Sequence, residues 1–171
     1  MKRRWPFWAL AALTAGVYGT MLLWSLPHLR ALSGGLAPFD LRPGGYDLAA
    51  AQALLAALGA AGRSYYLNVQ QSLDSAYPAL YAVVMVWAFR ALAPGWWGRL
   101  LGLLALAGAG FDYLENARVA ALLRADPGAV TAPMVAAASQ ATLAKSVAVT
   151  AALLVLIALL ARAGGRRWWW V

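Results

Sequence analysis

Phe7 to Leu26 are twenty consecutive residues without a charge, enough to cross a hydrocarbon core about 30 Å thick as one helix. Three more long apolar stretches follow, roughly Tyr65 to Leu92, Leu100 to Leu123 and Met134 to Ala161. Inside lipid every backbone N–H and C=O needs a partner within the chain, and only helices and closed barrels provide one. Alanine and leucine dominate these stretches, and the alternation of a lipid-facing barrel is missing. The expectation is therefore all-α: a single transmembrane domain over residues 1–171, built as an integral membrane four-helix bundle. Composition agrees, with 63% hydrophobic and 12% charged residues against about 45–50% and 25% in a soluble domain.

Lys2, Arg3 and Arg4 precede the first span, as they would in a signal peptide. The apolar stretch is too long for a signal core, and no small-x-small cleavage site follows before Pro27 and His28, so it reads as a retained signal-anchor. Lys2, Arg3, Arg4, Arg90, Arg99, Arg162, Arg166 and Arg167 fall on the side of the termini. Arg30, Arg42, Arg63 and Arg124 fall on the other, with Asp40, Asp47 and Asp126. This asymmetry predicts both termini in the cytoplasm and localisation as a multi-pass protein of a bacterial inner membrane. Trp5, Trp8, Trp96, Trp97 and Trp168 to Trp170 then serve as interfacial anchors.

The net charge of +8 fits topology signals and anionic lipid as partner, not nucleic acid, because the cations sit mostly at the ends of apolar stretches. Zero cysteines exclude thiol chemistry and cysteine-held metals. With His28 as the one histidine, neither a histidine-built metal site nor a Ser-His-Asp triad is expected. Phosphate loops and dinucleotide motifs are absent too, and no cofactor is expected.

The one long loop, Arg30 to Gly62, opens with the turn-forming runs Ser33-Gly34-Gly35 and Arg42-Pro43-Gly44-Gly45. Asp47 is placed to cap a short amphipathic helix from Leu48 to Leu58 that ends at Gly59. With Leu48, Leu55 and Leu58 on one face, it either lies flat at the outer interface or covers the mouth of the bundle.

Charges inside the spans carry the functional information. Asp74, Asp112, Glu115, Arg118 and Lys145 all fall there. Three charges cost the third span roughly 9 kcal/mol, while its apolar residues return roughly 5, so it needs polar partners from the other spans. At about 1.5 Å per residue, Asp74, Asp112, Glu115 and Lys145 lie at one depth, around the midplane and slightly outward. They are expected to form a network with Arg118, and the surplus acid calls for a proton or a cationic group.

Helical phase assigns the faces. Gln70, Asp74, Tyr77 and Tyr81 make one stripe, and Pro78 should kink that helix and free the Asp74 carbonyl. Ala105, Gly108, Asp112, Glu115 and Asn116 share a face of the third span. Ser139, Thr142, Ser146 and Thr150 share one on the fourth, with Lys145 beside it. Candidate acid–base groups are Asp74, Glu115 and Asp112; candidate ligand contacts are Tyr77, Tyr81, Gln70, Asn116, Lys145 and Arg118. Two readings of this pattern stay open: interhelical glue that fixes the bundle, or a working pocket or proton path.

The segments PFDLRPGGY, ALLAALGAAGRSYY, LDSAYPALY and FDYLENA resemble those of a family of small uncharacterised bacterial four-helix membrane proteins. The resemblance covers about a third of the chain and marks Phe39, Asp40, Arg42, Tyr46, Gly62, Arg63, Tyr66, Asp74, Tyr77, Pro78, Tyr81, Asp112, Glu115 and Asn116. It implies the four-helix fold and no particular activity. A looser likeness links the chain to the sterol-isomerase and sigma-2-receptor group, four helices with buried acids and a capped pocket. That group's catalytic histidine has no counterpart here, and the likeness is one of architecture. Three functions compete: a pocket for a hydrophobic or cationic small molecule, with or without catalysis, a proton-coupled carrier, and an accessory subunit among other membrane proteins.

Overall fold

A computed structural model describes residues 5–164. The basic residues Lys2, Arg3, Arg4, Arg166 and Arg167 and the anchors Trp168 to Trp170 lie outside the described residues. Four long helices make up the fold: α1 (Trp5–Leu32), α2 (Leu48–Leu92), α3 (Trp96–Arg124) and α4 (Ala132–Ala163). Among the described residues there is no strand. Helices α1, α2 and α4 are long and apolar enough to cross a membrane. Helix α3 is long enough, at 29 residues or about 43 Å, and carries the most charges, five: Arg99, Asp112, Glu115, Arg118 and Arg124.

Helix α3 packs along both α2 and α4, and α1 leans against α2. Close approach rests on small residues: Gly98, Gly102, Ala105, Gly108 and Ala109 line the buried side of α3. A Cβ at Gly108 would come within 3.2 Å of Val149 on α4 and 3.5 Å of the Tyr81 hydroxyl on α2. The bundle has a loop end, where residues 33–47 and the α3–α4 connection lie, and a far end at the α2–α3 turn.

Two helices continue past the predicted boundaries. Helix α1 runs on through Pro27 to Leu32, and a π-helical turn at Met21–Ser25 directly precedes the proline. The wider turn falls where Pro27, lacking an N–H, could not bond the carbonyl of Leu23. A second π turn, Tyr66–Gln70, interrupts α2, and Tyr65 donates to Ser25 Oγ across the two at 3.3 Å.

The capped loop is as expected. Asp47 accepts from the backbone N–H of Ala50 at 2.8 Å, and Gly59, at φ 55°, breaks the helix at its predicted end. Ala51, Leu54, Leu55 and Leu58 are buried against Val119, Leu122 and Leu123 of α3 and Val135 and Ala138 of α4. The short helix therefore covers the mouth of the bundle. Arg63 ties the cover down, donating from Nε to the Leu55 carbonyl at 3.2 Å and from Nη1 to the Ala125 carbonyl at 2.9 Å. Gly45, at φ 83°, lets the loop touch α4, since a Cβ there would stand 2.8 Å from Ser139 Oγ. The Tyr46 N–H then donates to that same oxygen at 2.9 Å.

Candidate functional site

Under this cover, α2, α3 and α4 bring their polar residues together. Lys145 Nζ lies 3.3 Å from Asp112 Oδ1 and also pairs with Glu115 Oε2. The Glu115 side chain is wholly buried and that of Asp112 nearly so. This is the ion pair that the insertion deficit of α3 requires: a lysine from α4 compensating two acids one turn apart.

Asp74 is buried beside them. Pro78 leaves its carbonyl without the usual helical donor, and Asn116 Nδ2 on α3 donates to that carbonyl at 3.1 Å. Gln71 Nε2 returns a bond to the Asn116 carbonyl at 2.9 Å, and the Tyr113 hydroxyl donates to the Ser75 carbonyl at 2.9 Å. The backbone group freed by proline is thus used to lock α2 to α3, and α2 continues through Pro78 instead of ending there.

The loop adds an acid that depth arithmetic left outside the membrane. Asp40 Oδ2 accepts from the Tyr66 hydroxyl at 2.9 Å, and its Oδ1 is buried without a partner. Burial, the charges of Asp74 and Glu115, and an opposing pull from Lys145 and Tyr66 together push its carboxyl up to about 8. Burial likewise holds the Tyr46 phenol above its ordinary range. Asp40 sits in the motif FDLRPGGY, but its inward turn follows from the loop's fold over Tyr66, which no local spacing encodes.

Four carboxyls, Asp40, Asp74, Asp112 and Glu115, therefore share one region with a single ammonium among the described residues, that of Lys145. No three of His, Cys, Asp and Glu among the described residues converge closely enough to hold a metal ion. Several buried polar atoms here lack partners: both amide atoms of Gln70, Asp74 Oδ2, Glu115 Oε1, Asn116 Oδ1 and the Tyr81 hydroxyl. Gln70 is completely buried. An unsatisfied buried polar atom costs about 1–3 kcal/mol, and so many in one place call for polar company.

Other expected members stand elsewhere. Arg118 is exposed and makes no ion pair among the described residues, so it does not belong to the network. It lies six residues from the end of α3, about 9 Å below it, close enough to the helix end for a long side chain to extend that way. Tyr77 is half-buried and turned to α1, stacked on Tyr18 with ring centroids 5.4 Å apart and 5.1 Å from the Tyr81 ring. On α4 the buried face runs through Ala138, Ser139, Ala141, Thr142, Ala148 and Ala152, with Lys145. Ser146 is only half-buried and Thr150 is exposed, because the alanines, not the hydroxyls, set the close-packing side.

Towards the far end the interior turns apolar. Tyr81, Ala82, Met85 and Phe89 of α2 pack on Ala105 and Ala109 of α3 and Ala152 of α4. No protein-family model matches the chain, and no curated protein or solved structure matches it either.

Proposed function

We propose that the chain is a four-span membrane protein with both termini in the cytoplasm, whose loop-covered acidic site binds the positively charged group of a hydrophobic amine. The imbalance of four carboxyls against one ammonium is the observation that carries this reading. Lys145 is already engaged by Asp112 and Glu115, which leaves Asp74 and Asp40 as the acids without a cation. A ligand ammonium between them compensates the negative charge that these acids carry when ionised, and the Gln70 amide offers it a donor and an acceptor. The apolar walls of such a site suit the rest of a hydrophobic molecule.

The apolar packing of Met85, Phe89, Ala105, Ala109 and Ala152 towards the far end favours a site open to one side over a proton path through the bundle. Asp74, Glu115 and Asp112 are the groups placed for acid–base chemistry on a ligand bound there.

The test is a thermal-shift screen of the purified protein with hydrophobic amines and with alcohols of the same skeletons. Amines alone should stabilise the wild type, and Asp74→Asn should abolish the stabilisation while moving the apparent Tm by no more than about 4 °C. Equal stabilisation by amines and alcohols would remove the charge argument. If Asp74→Asn unfolds the bundle and no amine binds, the acids are interhelical glue and the accessory-subunit reading replaces this one. Reporters fused at Val171 and within residues 40–47 check the topology, and a C-terminal reporter active only outside the cytoplasm overturns it.

A further inference from the structure

A second feature lies on the outside of the bundle. Between α3 and α4 runs an open, apolar groove of about 500 Å³ lined by Leu104 and Phe111 on one side and Leu143, Ala144, Val147, Ala148 and Ala151 on the other. Alanines 144, 148 and 151 form its floor, and Val147 stands exposed at its rim. Leu104, Phe111 and Arg118 follow at seven-residue intervals, so they form one slowly drifting stripe of α3. The groove is therefore continued towards the loop end by an exposed arginine without an ion pair among the described residues.

The distances along that stripe match a lipid. Arg118 to Leu104 is fourteen residues, about 21 Å. That is half of a bilayer about 40–45 Å thick including headgroups. From Leu104 to Trp96 is about 12 Å more, which brings the exposed Trp96 and Trp97 near the opposite edge of the hydrocarbon, where tryptophans anchor. In this register Arg118 lies at headgroup level, and Asp112 and Glu115, about 9 and 5 Å below it, lie nearer the loop-side surface than the midplane depth that the sequence arithmetic gives. An occupant that puts a negative group at Arg118 and a chain along Phe111 towards Leu104 fits both the charge and the apolar lining.

We infer that the α3–α4 groove is a binding site for one acyl chain of an anionic phospholipid in the leaflet on the loop side, with its phosphate held by Arg118. The guanidinium supplies the charge-assisted hydrogen bonds to phosphate, and the alanine floor gives the chain room to lie against the helices.

Native mass spectrometry of the delipidated full-length chain, titrated with phosphatidylglycerol or with phosphatidylethanolamine of the same acyl chains, tests this. Phosphatidylglycerol should occupy one preferred site. Arg118→Gln should weaken it about fivefold to tenfold and erase the preference over phosphatidylethanolamine. Ala144→Phe, which fills the floor, should weaken both lipids; Ala151→Phe takes its place if the first variant does not fold. Loss of affinity in Arg118→Gln with none in the groove-filling variant means attraction at the surface only, and overturns the acyl-chain site. Unchanged binding in both variants overturns the whole inference. So does a lipid-independent dimer that Ala144→Phe abolishes, since a second copy would then be what fills the groove.

Discussion

The two halves of the bundle are built from the same helices and solve opposite problems. At the loop end, α2, α3 and α4 carry Asp74, Asp112, Glu115 and Lys145 inside, and a leucine-faced helix closes over them. At the far end the same helices meet through glycine and alanine, with no buried charge among the described residues. Packing in the far half depends on how closely backbones approach. In the loop half it depends on whether each charge keeps its partner. The difference shows that α3 tolerates its acids because they are gathered at one end, beside a lysine and under a cover, while the rest of the helix stays small and apolar.

The sharpest way to break this contrast is to remove the ammonium. Lys145→Met leaves Asp112 and Glu115 buried without their cation, and breaking a buried pair from one side costs about 3–5 kcal/mol. Denaturation in micelles should register that loss. Neutralising the acids in the same chain, Asp112→Asn with Glu115→Gln, should recover much of it, because the penalty is the uncompensated charge. Recovery of nothing would mean that the lysine acts through its stem packing alone.

In the far half the equivalent lesion is a methyl group. A Cβ at Gly98 would stand 2.8 Å from the Ala93 carbonyl oxygen and 2.9 Å from that of Phe89, so Gly98→Ala forces the α2–α3 turn apart at a cost of about 1–3 kcal/mol. Gly110, on the same helix, has nothing within 4 Å of that position. Gly110→Ala should instead be neutral or stabilising by up to about 1 kcal/mol, from helix propensity. Equal responses at the two glycines would deny that backbone approach holds this half together. A smaller effect belongs to the cover: Asp47→Ala removes the cap on Ala50 and should cost about 1 kcal/mol, with proteolysis between residues 33 and 47 as the local readout.

Most of the architecture was legible in one dimension. Apolar length marked out the helices, Asp47 and Gly59 bounded the cover, and the charge deficit of the third span called for charged partners from the other spans, of which Lys145 is one. The Pro78 argument foretold a free carbonyl, and Asn116 takes it. What stayed hidden depends on longer-range geometry. Two π turns, at Met21–Ser25 and Tyr66–Gln70, shift helical phase in ways a uniform 3.6-residue period does not contain. Arg118 falls in the network by its place in the third span, but its side chain faces outward and pairs with no acid among the described residues. Tyr77 was drawn to the site by spacing from Asp74, but Tyr18 on α1 claims its ring. Asp40 was read as a loop charge, since nothing in residues 33–47 tells that the loop turns inward onto Tyr66.

Asp40 also offers the finest comparison between loop and bundle, because its effect vanishes at one pH and grows at another. Its carboxyl ordinarily titrates near 3.8 and is pushed up to about 8 in the folded chain, by burial first and then by the charge of Asp74. Between about pH 4 and pH 8 the folded chain holds a proton that the unfolded chain has released, so this group makes stability fall as pH rises across that window and level off above it. Asp40→Asn resembles the protonated acid and can still accept from the Tyr66 hydroxyl. At about pH 3.5, below the ordinary carboxyl range, the variant and the wild type should therefore melt nearly together. By pH 8.5 the variant should be the more stable, and the difference between the two melting curves isolates Asp40 from the other acids. Tyr66→Phe sharpens the point: the hydroxyl favours the charged carboxylate, so losing it should carry the fall in stability to still higher pH. A difference curve that stays flat from pH 5 to pH 8.5 would mean that Asp40 is solvated like any loop acid, and the site would then lose its fourth carboxyl.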